Sequence, residues 1–164
     1  FAIILHFTLN AIAVVLAGFV SWHFRKPIIL LAYLVIVGIF WLYSTTYKKQ
    51  FLIGNIIVAL GTAMIPLQVA YFEILSLTRE YGLELALKGY SFKVLFFWLA
   101  AFALFAFLTN LIREIVKDIE DFEGDASYGC NTIPVVLGMK AAKIVVAALS
   151  LFTVWLLWFF YNHF

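Results

Sequence analysis

Apolar residues fill this chain in runs longer than any one buried face of a soluble fold. Residues 1–22 contain no charged side chain, and the run stops at His23-Phe24-Arg25-Lys26-Pro27, where cations and a proline mark an interface and a break. A second run, residues 28–42, ends beside Trp41 and Tyr43, aromatics of the kind that sit at a membrane–water boundary. The third extends from Phe51 or Asn55 to Glu73 around Gly54, Gly61 and Pro66, and here the small residues permit close helix approach while the proline predicts a kink. The fourth, residues 92–112, is rich in Phe and passes without interruption into an acidic stretch. The fifth begins at Pro134 and continues to about Phe160, with Lys140 and Lys143 near its entrance. None of the runs alternates with the period of a barrel strand, and a bilayer takes about 20 apolar residues per helical crossing. The pattern therefore predicts an all-α, multi-pass transmembrane bundle with spans near 1–22, 28–45, 54–75, 92–117 and 134–161. Residues 75–91 carry Arg79, Glu80, Glu84 and Lys88 among leucines and tyrosines, too charged to cross, and are expected to lie at the interface as an amphipathic connector.

Composition removes the other classes. The chain is 66% hydrophobic and 12% charged, whereas soluble domains are near half apolar and a quarter charged. Five crossings occupy 164 residues and leave no room for a separate soluble domain. A net charge of +2, with no basic tract interleaved with aromatics, argues against a nucleic-acid partner. Cys130, the one cysteine, has no internal disulfide partner. The chain opens and closes at apolar runs, at Phe1 and Phe164, without a leader pattern, and the expectation is a central piece of a longer protein of the cell inner or plasma membrane.

Against this oily background the polar residues are informative by position. Six of the nine acidic residues lie between Glu114 and Asp125. If one helix continues through this stretch, Asn110, Glu114, Asp118, Asp121 and Asp125 follow at spacings of 4, 4, 3 and 4 and share a face. Like charges at that spacing repel, so such a face predicts a cation, and an all-oxygen donor set suits magnesium or calcium rather than zinc or copper. The simplest alternative is a solvated acidic loop between two spans. With five spans, the turn at 43–50, which holds Tyr43, Ser44, Lys48 and Lys49, falls on the same membrane face as the acidic stretch. Carboxylates and lysines at the mouth of an apolar bundle match a diphosphate-bearing lipid. Mg2+ bridges carboxylates to phosphate, lysines neutralise the remaining charge, and the hydrocarbon lies between helices. Loss of pyrophosphate from an allylic carbon leaves a cation, which Phe96, Phe97, Phe102 and Phe105 would meet by cation–π contact unless they are simply core or lipid-facing. His6 and Asn10, four apart in the first span, read as a helix-packing hydrogen-bonding pair, with a substrate contact as the alternative.

The stretch Arg113-Glu-Ile-Val-Lys-Asp118-Ile-Glu-Asp121-Phe-Glu-Gly-Asp125, followed by Gly129, Asn131-Thr132 and Pro134, resembles the second aspartate-rich motif of the UbiA superfamily of intramembrane prenyltransferases. Tyr43-Ser44-x-x-x-Lys48-Lys49, with Gly54-Asn55 after it, is similar to that family's Tyr-Ser-x-x-x-Lys-Arg loop, and the two motifs occur in the family's order. The resemblance implies that Asp121 and Asp125 are magnesium ligands needed for catalysis, that Asp118 is a further acidic member of the metal site, and that Lys48 contacts the diphosphate. Lys49 stands where the family carries arginine, which keeps the charge and loses bidentate geometry. Tyr43, Ser44, Arg113 and Lys117 are expected to complete the diphosphate contacts, with Asn110 and Glu114 on the substrate side. The implied activity is Mg2+-dependent transfer of a prenyl group from a polyprenyl diphosphate to a lipid or aromatic acceptor within the bilayer, by a single transmembrane prenyltransferase domain of which residues 1–164 are a part. The wording of the acidic motif most resembles the branch that joins geranylgeranyl diphosphate to geranylgeranylglyceryl phosphate, while quinone- and haem-pathway enzymes share its general form. The family's first motif, Asn-Asp-x-x-Asp ahead of its third helix, is not in this sequence, and on this resemblance the five spans look like the third to seventh of the family's nine helices.

Other classes fit less well. A CDP-alcohol phosphotransferase requires an Asp-Gly-x-x-Ala-Arg opening, which residues 118–125 do not contain. A transporter with an acidic cation-binding loop would favour carboxylates at mid-membrane in broken helices, whereas these lie at the end of a span. An EF-hand beginning at Asp121 would need glycine where Ala126 stands.

Overall fold

The computed structural model describes residues 2–89 and 91–163, and all regular structure among them is helical. Phe1 and Phe164, where the apolar runs open and close, lie outside the described residues. The elements are α1 (Ala2–Phe24), α2 (Pro27–Thr45), a 3-10 turn (Tyr47–Lys49), α3 (Ile53–Leu87), α4 (Lys93–Glu120), α5 (Phe122–Ser127), α6 (Ile133–Leu137) and α7 (Met139–His163). Five of them, α1, α2, α3, α4 and α7, are long and apolar enough to cross a membrane. The chain is an integral, multi-pass membrane protein of the all-α class.

By contacts the chain divides at Thr46 into two units. The first is the pair α1 and α2. Arg25 takes a left-handed conformation (φ 54°) at the end of α1, the Lys26 N–H donates to the Ser21 carbonyl, and Ser21 Oγ donates to the Lys26 carbonyl at 2.9 Å. Pro27 then opens α2, where its missing N–H costs no hydrogen bond. His6 and Asn10 satisfy each other within α1, Asn10 Nδ2 lying 2.8 Å from the His6 carbonyl and 3.1 Å from its Nε2.

The second unit is built on α3 and α4, two antiparallel helices whose mutual contact is the most extensive in the chain. Ala59, Ala63 and Ala70 of α3 and Ala101 and Ala103 of α4 are all buried. Small side chains are what helices need at a close interface in lipid, where burial of apolar surface gains little. The best-packed cluster joins Ala59, Leu111, Ile115, Ile133 and Ala142, from α3, α4, α6 and α7, with Leu52, Ile56 and Ile119 against it. This core lies directly beneath the acidic end of α4.

Three sequence expectations change. Residues 75–87 are not a separate connector. They are the last turns of α3, a helix of 35 residues and thus about 52 Å long at 1.5 Å per residue, against about 30 Å of hydrocarbon. Charge stops a span but not a helix, and Leu, Glu and Arg are good helix formers with no proline among them to end the run. Pro66 lies inside α3 without terminating it. The fifth span begins at Met139 and not at residue 134, because Gly138 adopts φ 84° and separates the short α6 from α7. Lastly, α4 ends at Glu120, and Asp121 (φ −86°, ψ 9°) links it to α5. Helical i, i+4 backbone bonds nevertheless run across the junction, from the Asp121 N–H to the Lys117 carbonyl and from the Asp125 N–H to the Asp121 carbonyl.

Candidate functional site at the acidic end of the second unit

Four segments of the second unit meet at one end: the 3-10 turn, the first turn of α3, the last turns of α4 with α5, and the segment leading into α6. A backbone bond ties the cationic turn to the acidic stretch, the Asn131 N–H donating to the Lys49 carbonyl at 2.9 Å. Leu52 holds a left-handed conformation (φ 58°), uncommon for a branched residue, and turns the chain sharply from the 3-10 turn into α3. The helix that follows carries Asn55 on its buried side, 7% exposed. Asn55 Nδ2 donates to Asp118 Oδ2 across the α3–α4 seam at 2.7 Å. Deeper along the same seam, Asn110 Nδ2 lies 2.7 Å from Thr62 Oγ1 and 3.3 Å from the Val58 carbonyl. Two polar rungs, about 10–12 Å apart along each helix, thus fix the register of α3 against α4.

The acids do not form a closed ring. Among the described residues no three His, Cys, Asp or Glu side chains converge as a metal-holding group. Asp118, half-buried, has Asp125 and Glu114 as repelling neighbours and Lys117 as an attracting one. Asp121 is exposed at the α4–α5 junction, and Asp125 is half-buried with its N–H bonded to the Asp121 carbonyl at 2.9 Å. Glu114, 7% exposed, is paired with the exposed Arg113 guanidinium. Lys48, Lys49 and Lys117 are exposed on the same unit. Tyr43 and Ser44 end α2 and belong to the first unit.

An oxygen-ligated divalent cation fits this donor set as a shared and not a complete site. Asp118, Asp121 and Asp125 supply only oxygens, the donors magnesium prefers, and magnesium usually takes a few carboxylates and fills its shell with water and phosphate. Among the described residues one buried side-chain atom also lacks a partner. Thr132 Oγ1, on a residue 5% exposed, makes no hydrogen bond although Thr132 is the N-cap residue of α6, a position where threonine normally accepts one. At N2, Pro134 has no N–H to offer, and the Val135 N–H goes to the Thr132 carbonyl.

The phenylalanines are elsewhere. Phe97 and Phe105 meet Phe160 of α7 at ring separations of 6.0 and 5.8 Å. Phe102 and Phe105 line an apolar groove of about 540 Å³ with Trp98 and Leu157. Phe105, the nearest of them in sequence, precedes Asp118 by 13 residues on one helix, or roughly 20 Å. A cation formed at the acidic end is out of their reach, since cation–π contact acts within about 6 Å.

Comparison with known proteins decides the family. The UbiA prenyltransferase family matches residues 1–164, the whole chain. The chain belongs to the UbiA prenyltransferase family. Among similar curated proteins, a digeranylgeranylglyceryl phosphate synthase of Thermococcus kodakarensis is 37% identical over 147 residues, covering 89% of this chain and 44% of that protein. The proteins of the same name from Pyrococcus furiosus and Korarchaeum cryptofilum are 38% and 42% identical over 113 and 94 residues, covering 69% and 52% of this chain and 34% of each relative. The chain thus spans less than half the length of these relatives. No solved structure matches it significantly. In this UbiA-family chain the two resembling motifs are in direct contact through Lys49 and Asn131. Two residues acquire importance that sequence spacing did not show. Asn55 was visible only as part of a Gly-Asn pair after the cationic loop, and the burial of the Thr132 hydroxyl leaves no mark in the sequence.

Proposed function

We propose that this chain forms the diphosphate-binding half of a Mg2+-dependent prenyltransferase site, within one transmembrane prenyltransferase domain, and that the reaction transfers a geranylgeranyl group from its diphosphate to geranylgeranylglyceryl phosphate. The observation that carries this reading is the Asn131 N–H bond to the Lys49 carbonyl, which brings the cationic turn and the acidic stretch to one end of the second unit. Family membership favours group transfer over cation transport for such an end, and the names of the relatives favour a glyceryl phosphate acceptor over an aromatic one.

In the proposed reaction the bond between the allylic carbon and the diphosphate oxygen breaks, pyrophosphate leaves with the electron pair, and the acceptor oxygen bonds to that carbon and loses its proton. Magnesium, when bound, neutralises the departing diphosphate. Asp118, Asp121 and Asp125 would hold it. Lys48 and Lys49 add positive charge to the phosphate oxygens, and Arg113 and Lys117 are exposed at the same end to do likewise. Beneath the site, the cluster around Ile115 and Ala142 gives the carboxylates a rigid base.

The test is a transfer assay on the full-length protein with geranylgeranyl diphosphate and either geranylgeranylglyceryl phosphate or an aromatic acceptor of the quinone or haem pathways. Mg2+-dependent appearance of the digeranylgeranyl ether, and of no aromatic adduct, is expected. Transfer to an aromatic acceptor alone would overturn the assignment of substrate.

A further inference from the structure

Asp118 is held differently from the other acids. One of its oxygens, Oδ2, accepts the Asn55 amide at 2.7 Å across the helix seam. Among the described residues the other, Oδ1, accepts no hydrogen bond, and it is not among the fully buried side-chain oxygens left without a partner. Asn55 has little freedom to move. It is 7% exposed on the first turn of α3, next to a buried Gly54, and the left-handed Leu52 sets the direction in which that helix starts. The second rung, Asn110 to Thr62, prevents α3 from rotating or sliding against α4. An amide donor suits this place better than a cation, since it orients a carboxylate without cancelling the charge that a metal ion needs.

We infer that Asn55 is a positioning residue: it clamps Asp118 by one oxygen so that the other is presented toward the bound metal and diphosphate. The inference rests on the proposed prenyltransferase reading of this end. It adds that the cationic loop and the acidic stretch are coupled by a side chain as well as by backbone, because Asn55 follows that loop closely and fixes an acid on the other helix.

The test compares N55A, D118N and the exchange N55D/D118N in the full-length protein, with three readouts: thermal stability in detergent, Mn2+ binding without substrate followed by electron paramagnetic resonance, and prenyl transfer. N55A is expected to weaken Mn2+ binding about 10-fold, the lower end of what loss of a group that orients a ligand costs. It should raise the Mg2+ concentration needed for half-maximal transfer by a similar factor and leave KM for the prenyl diphosphate at saturating Mg2+ unchanged. The exchange restores the hydrogen bond with donor and acceptor reversed, so it should recover wild-type thermal stability while Mn2+ binding stays weak, the charge now being on the wrong helix. Where N55A does not accumulate in the membrane, the exchange variant carries the test by itself. Wild-type Mn2+ binding in N55A, or its full recovery in the exchange, would show that the pair only fastens two helices and would overturn the inference. Failure of the functional reading itself looks different: D121N and D125N would then keep normal transfer, whatever the Asn55 variants do.

Discussion

At the scale of single residues, the site is a set of oxygens whose partners differ, and the differences rank them. Lys48 is exposed and lies within a turn bonded to the acidic stretch. Lys48→Ala should raise KM for the prenyl diphosphate several-fold without lowering thermal stability, and an unchanged KM would remove it from the site. Thr132 offers a cleaner test of energetics. A buried hydroxyl without a partner costs about 1–3 kcal/mol, and a methyl of the same shape costs nothing. Thr132→Val should therefore leave the ligand-free protein as stable as before or raise its stability by about 1 kcal/mol, measured as Tm in detergent, while a fall in Tm would mean the hydroxyl is bonded. Much of this scale was legible beforehand. The i, i+4 relation of Asp121 and Asp125 survives as a backbone bond between them. What the spacing concealed was the company each acid keeps: Glu114 beside Arg113, and Asp118 beside Asn55 from 63 positions earlier in the chain. Contacts of that range leave no periodic trace.

At the scale of elements, hydropathy located all five membrane helices because in lipid an apolar run of sufficient length has few alternatives to being a helix. It erred where polarity and helicity part company. The charged residues Arg79, Glu80 and Glu84 end the apolar run yet continue α3, whereas Gly138 interrupts a run that hydropathy read as one span. The packing between elements depends on small residues, and Ala142 is a sharp case, fully buried where α7 meets α4 and α6. Ala142→Leu should destabilise the second unit by about 1–3 kcal/mol, as overpacked cores do, and should reduce transfer by tilting α6 away from α4. Circular dichroism melts in detergent measure the first effect. A normal melt would mean that the interface is looser than its burial indicates.

For the whole molecule, the second unit is polarised. Its tightest packing and most of its chemistry-bearing side chains share one end, and the other end of α4 and α7 is an aromatic, lipid-like groove. A lipid substrate with a charged head and a long hydrocarbon tail has that polarity too. Because the acids converge only partly, the proposed reaction depends on charge more than on the preformed shape of a metal cage, and neutralising an acid should matter even where size is kept. The direct measurement is prenyl transfer by the full-length protein across a magnesium titration, with Asp121→Asn and Asp125→Asn each checked for normal membrane insertion. Each should reduce turnover by at least about 100-fold, the scale of lost electrostatic stabilisation of a leaving group. Asp118→Asn should cost less, and Glu123→Gln, off the shared face, least. Near-normal transfer by Asp121→Asn and Asp125→Asn at limiting magnesium would contradict the account.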